Sequence, residues 1–146
     1  MLFIITGKLQ AQTNDCVAEA VFHEAVGESV RGQVAVAQVI MNRTDNKRYP
    51  NTPCKVVRQK RKGICQFSYL CTKKSLKILK QDTPRMYLAE SISECVKDKE
   101  CLIPELKSAT VYYACDGRNK ISPPRWDWSK LKFKSKIDNH CFYEEV

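Results

Sequence analysis

Apolar and polar positions follow helical spacing through the first third of the chain and strand spacing near its end. From Val34 to Met41 the sequence reads VAVAQVIM, with Gln38 its single polar position. A helix apolar on almost every side must be buried on almost every side, so this stretch predicts a central helix. Ahead of it, Val17, Ala20, Val21, Glu24 and Ala25 share one side of a helix predicted from Cys16 to Val26. Asn14 or Asp15 supplies its N-cap, and Gly27 ends it, because a left-handed C-terminal residue favours glycine. Ser29 caps the central helix, predicted from Val30 to Asn42.

Further along, Asp45 to Pro53 is a loop by composition, and Thr52 followed by Pro53 starts a short helix through Val57. Gly63 to Tyr69 reads as an exposed turn feeding an apolar extended segment. Thr72 to Gln81 predicts a basic helix. Thr83-Pro84 starts another, with Leu88, Ile92, Cys95 and Val96 as its buried stripe. Ser108 to Cys115 is a helix or a strand, Asp116-Gly117 a turn, and Ile121 to Trp128 an aromatic loop. Lys130 to Lys136 alternates like a strand, and Asp138-Asn139 turns into a last strand, His140 to Tyr143. The expected class is therefore mainly α with a small β-hairpin (α+β), built around the buried helix with a cleft beside it. Residues 1–15 are read as an N-terminal arm or export-signal remnant, and 16–146 as a single catalytic domain.

Cysteine usage and charge change this picture. A chain of 146 residues can bury a sizeable core without staples, yet it carries eight cysteines at scattered positions. An even, scattered set fits disulfides in an oxidising compartment, so the protein is expected in the periplasm, the cell wall or outside the cell. Cys65 with Cys71 and Cys95 with Cys101 are close enough to close short loops; the full connectivity stays open. Zinc is disfavoured, since there is no CxxC pair and only two histidines, and neither metal nor cofactor is expected. The net charge of +9 favours anionic partners. Five of the eight residues from Lys55 to Lys62 are basic, and Lys130, Lys132, Lys134 and Lys136 alternate with other residues. No apolar run is long enough to span a bilayer, so no membrane anchor is expected.

Glu24 is the sharpest candidate for chemistry. A carboxyl group pressed against Val21, Phe22 and Val26 is costly to ionise, which raises its pKa toward the range of a general acid. His23-Glu24 begins like a zinc-protease HExxH motif, but the second histidine position is Gly27, which excludes that reading. A cysteine hydrolase with His140 as base is disfavoured because the cysteines form an even set. Glycoside cleavage needs a protonated carboxyl at the leaving oxygen and often a second carboxylate. Glu28 follows Gly27, where it serves equally well as a helix N-terminal charge. A second class stays open: a non-catalytic, basic, disulfide-rich protein that binds nucleic acid or an anionic surface.

Four separated motifs then occur in order: FHEAVGES followed by VRGQVAVAQVIMNR, RYPNTPCKVVRQ, QFSY, and PRWDW with KIDNHCFY. Together they resemble the SleB/CwlJ-type cell-wall hydrolase family of spore-cortex-lytic enzymes and phage lysins, over roughly residues 16 to 143. The resemblance implies a lysozyme-like fold and lytic-transglycosylase cleavage of peptidoglycan between N-acetylmuramic acid and N-acetylglucosamine, with Glu24 as catalytic acid and base. It implies substrate-binding roles for Gln66, Phe67 and Ser68 of the QFS segment, for Asn42 pointing into the cleft, and for Trp126, Tyr113 and His140. Trp126 and Trp128 offer flat faces for sugar rings, and His140 is read as a structural histidine near the cleft rather than a base. The implied partner is a peptidoglycan strand and not nucleic acid, engaged by a monomer. The chain departs from the family pattern at His23, Val26 and Val111, which replace glycine, arginine and histidine.

Overall fold

The computed structural model describes residues 15–25, 27–72, 83–116 and 124–146. The expected N-terminal arm, the basic helix after Thr72 and parts of the Gly117 turn and aromatic loop lie outside the described residues, as does Val26. Helix α1 spans Cys16–Glu24, α2 Val30–Thr44, α3 Pro53–Val57 and α4 Thr83–Lys97. A two-residue ribbon pairs β1 (Lys60–Arg61) with β2 (Ile64–Cys65). The main sheet holds β3 (Val111–Ala114), β4 (Leu131–Ile137) and β5 (His140–Glu145), antiparallel in the order β3-β5-β4. The expected β4–β5 hairpin is thus one part of a three-stranded sheet.

Caps follow the side chains the sequence offers. Asp15 accepts from the N–H groups of Val17 and Ala18 at the start of α1, Ser29 from Gly32 in α2, and Thr52 from Lys55 in α3. Asp15 also accepts from Ser93 Oγ (2.7 Å) and Lys97 Nζ (3.0 Å), which fastens α4 to the start of α1. Helix α2 is central, as its pattern requires: Val34 through Ile40 are all buried. Its one polar member, Gln38, exchanges two hydrogen bonds with the Ile103 backbone, so its burial leaves no unmet partner.

The described cysteines pair as Cys16–Cys54, Cys65–Cys71, Cys95–Cys101 and Cys115–Cys141. The two short loops are the ones that spacing singles out. Cys16–Cys54 ties α1 to α3, and Cys115–Cys141 ties the end of β3 to β5.

Two local expectations are corrected. The segment after Gln66 is not extended: Ser68–Cys71 form a 3-10 turn, closed by the Cys65–Cys71 bridge. In α4 the buried stripe is Met86, Ala89, Ile92, Ser93 and Val96, while Leu88 is 40% exposed. The small Ala89 and Ser93, both without exposed surface, lie at the centre of this stripe, so the face turns on small residues and Leu88 lies off it.

Candidate active site

Helix α1 ends by presenting Glu24 at the edge of the core. Val21, Phe22 and Ala25 beside it are buried, and the chain then reverses at Gly27, where φ is +82°. A Cβ on Gly27 would meet nothing within 4 Å, so the backbone angle rather than crowding calls for glycine. Glu24 itself is partly buried. Burial raises its pKa above the ordinary carboxylate value, and the positive charge of Arg43 pulls more weakly in the opposite direction.

Arg43 comes from the last turn of α2 and is itself buried. Its Nε donates to the Thr110 carbonyl at 2.6 Å, just ahead of β3. Its guanidinium lies over the rings of Tyr49 (5.3 Å) and Phe67 (5.6 Å). A buried cation held this firmly acts on Glu24 from a fixed place.

Two tyrosines share the same electrostatic environment. The hydroxyls of Tyr69 and Tyr112 are both pushed above their ordinary values, chiefly by burial, with the Glu24 charge adding to it and Glu19 contributing at Tyr69. Both remain neutral hydroxyls at any working pH. His23 stacks on Tyr69 with ring centroids 4.3 Å apart, and burial lowers its pKa, which favours the neutral imidazole. Tyr112 reaches this side because Phe142, its cross-strand partner in β5, faces the core.

Glu28, the other acidic residue of the motif, belongs to a separate cluster. It hydrogen-bonds to Asp138 and stands 3.5 Å from His140 Nδ1. Burial and the Asp138 carboxyl raise the pKa of Glu28. Asp138 behaves in the opposite way: it accepts from Ser29 Oγ (2.6 Å) and Ser29 N (2.9 Å), bonds that hold its carboxyl below the usual range against the effect of burial. The β4–β5 turn is therefore docked on the start of α2. Gly32 permits the docking, since a Cβ there would collide with the Asp138 carboxylate.

The remaining expected site residues divide into those near Glu24 and those apart from it. Phe67 is buried under Arg43, with Gln66 and Ser68 exposed on either side of it. His140 is half-buried against Tyr112 (5.3 Å), its pKa lowered by burial despite Asp138 and Asp116. Asn42 does not offer its amide donors to a cleft: Nδ2 donates to the carbonyls of Leu106 (2.9 Å) and Ala109 (2.8 Å) and clamps that loop to α2. Tyr113 and Trp126 are not beside Tyr112 either. Strand alternation places Tyr113 on the opposite sheet face, packed with Trp126 (5.8 Å), Trp128 (5.8 Å) and Tyr143 (6.1 Å).

Sequence reasoning gave no role to Arg43, Tyr69 or Tyr112. Arg43 did carry a signal, because a cation ending an otherwise apolar central helix must find buried partners. A cavity of about 240 Å³ lies beside the α1–α2 corner, with Val21, Phe22, Ala25, Gly27 and Glu28 in its wall. Among the described residues no cluster of three or more His, Cys, Asp or Glu side chains is arranged to hold a metal.

Among solved structures, the chain is similar to the catalytic domain of the germination-specific lytic transglycosylase SleB from Bacillus anthracis. The two share 23% identity and a TM-score of 0.63, over 98% of this chain and 100% of that one. The catalytic domain of the Bacillus cereus SleB protein matches with 21% identity and a TM-score of 0.59, over 92% and 97%. This likeness establishes the shared fold. No curated protein sequence matches significantly. A family model described as Cell Wall Hydrolase matches residues 27–143, a span that begins just after Glu24. Because that span takes in most of its length, the chain belongs to the cell wall hydrolase family.

Proposed function

We propose that the chain degrades peptidoglycan as a lytic transglycosylase, cleaving between N-acetylmuramic acid and N-acetylglucosamine with Glu24 as both acid and base. The observation that carries this reading is the partly buried Glu24 carboxyl, with a raised pKa, in the company of neutral tyrosines and one fixed cation. In the first step Glu24 gives its proton to the glycosidic oxygen, and the bond from muramoyl C1 to that oxygen breaks. The glucosamine leaves with a new hydroxyl. Glu24, now a carboxylate, is stabilised by Arg43 and takes the proton of the muramoyl 6-hydroxyl while that oxygen bonds to C1. The product is a 1,6-anhydro ring, and Glu24 is again protonated. One carboxyl group suffices, which agrees with Glu28 being occupied by Asp138 and His140. Gln66 and Ser68 bind sugar hydroxyl or acetamido groups on this reading, which their exposure beside Phe67 supports.

Four disulfides suit work in an oxidising compartment, and no helix among the described residues is long and apolar enough to cross a membrane. Mass spectrometry of digested sacculi tests the proposal. Anhydromuropeptides are expected, and Glu24→Gln is expected to cut their release about a thousandfold while keeping the fold. Fragments with reducing ends would replace the transglycosylase by a hydrolase. Undiminished activity in Glu24→Gln would remove Glu24 from the role, and an absence of any fragment would return the protein to the binding reading.

A further inference from the structure

The face of the main sheet turned away from Phe142 carries a second feature that the chemistry at Glu24 does not use. A cavity of about 600 Å³ opens there, walled by Val111 of β3, Leu131 of β4 and Glu145 of β5, with Trp126 beside them. Register puts Glu145 opposite Leu131, and Val111 opposite Tyr143, so these positions share the outer face with Tyr113. The volume is within the ordinary range of a ligand site.

The wall is rich in charge of one sign. Arg48, Arg61, Arg125 and Lys130 line it against two side-chain carboxylates, Asp127 and Glu145, with Val146 also in the wall. Both carboxylates are already engaged. Asp127 accepts from Ser129 N (3.2 Å) and pairs with Lys130 Nζ (3.8 Å). Glu145 accepts from Thr110 Oγ1 (2.8 Å) and from the Tyr49 hydroxyl. Among the described residues Arg48, Arg61 and Arg125 have no carboxylate partner. Arg61 is held over the Tyr49 ring at 5.6 Å, which steadies it without neutralising it.

An aromatic shelf leads into this groove. Trp126 in the wall packs on Trp128 (5.5 Å) and Tyr113, and Trp128 packs on Tyr143 (5.3 Å), which continues to Phe133 (5.5 Å). Trp128 is 39% and Phe133 54% exposed, so rings that could have been buried stay open to solvent. Planar guanidinium groups grip carboxylates or phosphates through paired N–H donors, and flat aromatic faces take the apolar faces of sugar rings. An anionic glycan is the ligand that uses both.

We propose that this groove is a second, non-catalytic site that binds an anionic segment of the wall glycan and holds the enzyme on its substrate. The proposal rests on the peptidoglycan reading above. The anionic group is a carboxylate of peptidoglycan itself or a phosphodiester of a polymer attached to it; the guanidinium chemistry is the same.

The test measures pelleting with purified sacculi in about 0.15 M salt, on protein carrying Glu24→Gln so that binding is read without cleavage. Adding Arg61→Gln with Arg125→Gln is expected to weaken binding about tenfold or more. Adding Lys55→Gln with Lys107→Gln, which removes the same charge from exposed positions outside the groove, is expected to change it less than twofold. A loss that persists on sacculi stripped of phosphodiester polymers assigns the carboxylate; a loss seen only on unstripped sacculi assigns the phosphodiester. Unchanged binding in the arginine pair overturns the proposal. So does an equal loss in the lysine pair, or equal competition by a DNA oligonucleotide at matched charge. Fragment release by the protein with Glu24 intact is scored separately, so failure of the glycosidase reading and failure of the groove are told apart.

Discussion

Arg43 and Arg61 both lie over the ring of Tyr49, 5.3 and 5.6 Å from its centroid, yet their surroundings are opposite. Arg43 is buried, donates to the Thr110 carbonyl and acts on the carboxyl of Glu24. Arg61 is exposed on a two-residue ribbon and faces a groove with other cations. At the α1–α2 corner one charge is set against one carboxyl where water is scarce, so small displacements alter a pKa. On the outer sheet face several charges stand in water, where each is screened and only their number and an aromatic floor add up to binding. The first arrangement suits a proton transfer, the second a tether. Tyr49 joins them, its ring under both guanidinium groups and its hydroxyl on Glu145.

If the corner depends on packing and the outer face does not, perturbing the two should have unequal costs. The largest stability effect is expected from opening Cys16–Cys54, which anchors α1 to α3 across 38 residues. Chain-entropy arguments give a loss of about 4 kcal/mol for Cys16→Ser with Cys54→Ser, against about 2 kcal/mol for the six-residue Cys65–Cys71 loop. Denaturant unfolding of the two double variants measures the gap, and equal losses would show that the corner draws no special support from its bridge.

Next comes the seam between the two regions. Gly32→Ala forces a methyl into the Asp138 carboxylate at the point where the β4–β5 turn docks on α2. A cost of about 1–3 kcal/mol is expected, together with lower activity as Glu28 and His140 shift. A thermal melt with a parallel lysis assay checks both effects; an unchanged melt would mean that the turn moves aside freely.

The smallest effect concerns protons. Glu24 has a higher pKa folded than unfolded, so the folded state holds its proton to higher pH. Ionising it therefore costs stability as pH rises from the ordinary glutamate value through the raised one, and the cost persists above it. Glu24→Gln abolishes the titration, and at neutral pH the variant is expected to be more stable than the parent, with no gain at pH 4. On the proposed mechanism, in which the acid form of Glu24 would do the first step, activity of the parent should fall with rising pH through the same window. A stability difference independent of pH would contradict the raised pKa.

Much of the corner was legible from local sequence. VAVAQVIM reads as a buried helix because side-chain periodicity is set within a few residues, and the caps Asp15, Ser29 and Thr52 act on N–H groups two or three residues away. Gly27 is legible for the same reason, as is the closure of Cys65 on Cys71 and of Cys95 on Cys101. Glu24 stood out because its neighbours in sequence are also its neighbours in the core.

What the tertiary structure alone decided are contacts between distant segments. The β3–β5 register turns Tyr112, and not Tyr113, toward Glu24, and a shift of one residue would exchange them. The docking of the 106–110 segment on α2 commits Asn42 to two carbonyls and holds Arg43 in place. The close approach of α4 through Ala89 and Ser93 leaves Leu88 outside the core. Periodicity, capping and short loops are properties of a few adjacent residues, so the sequence determined them; facing, docking and charge placement are set by packing between residues far apart in the chain, and only the folded chain fixes those.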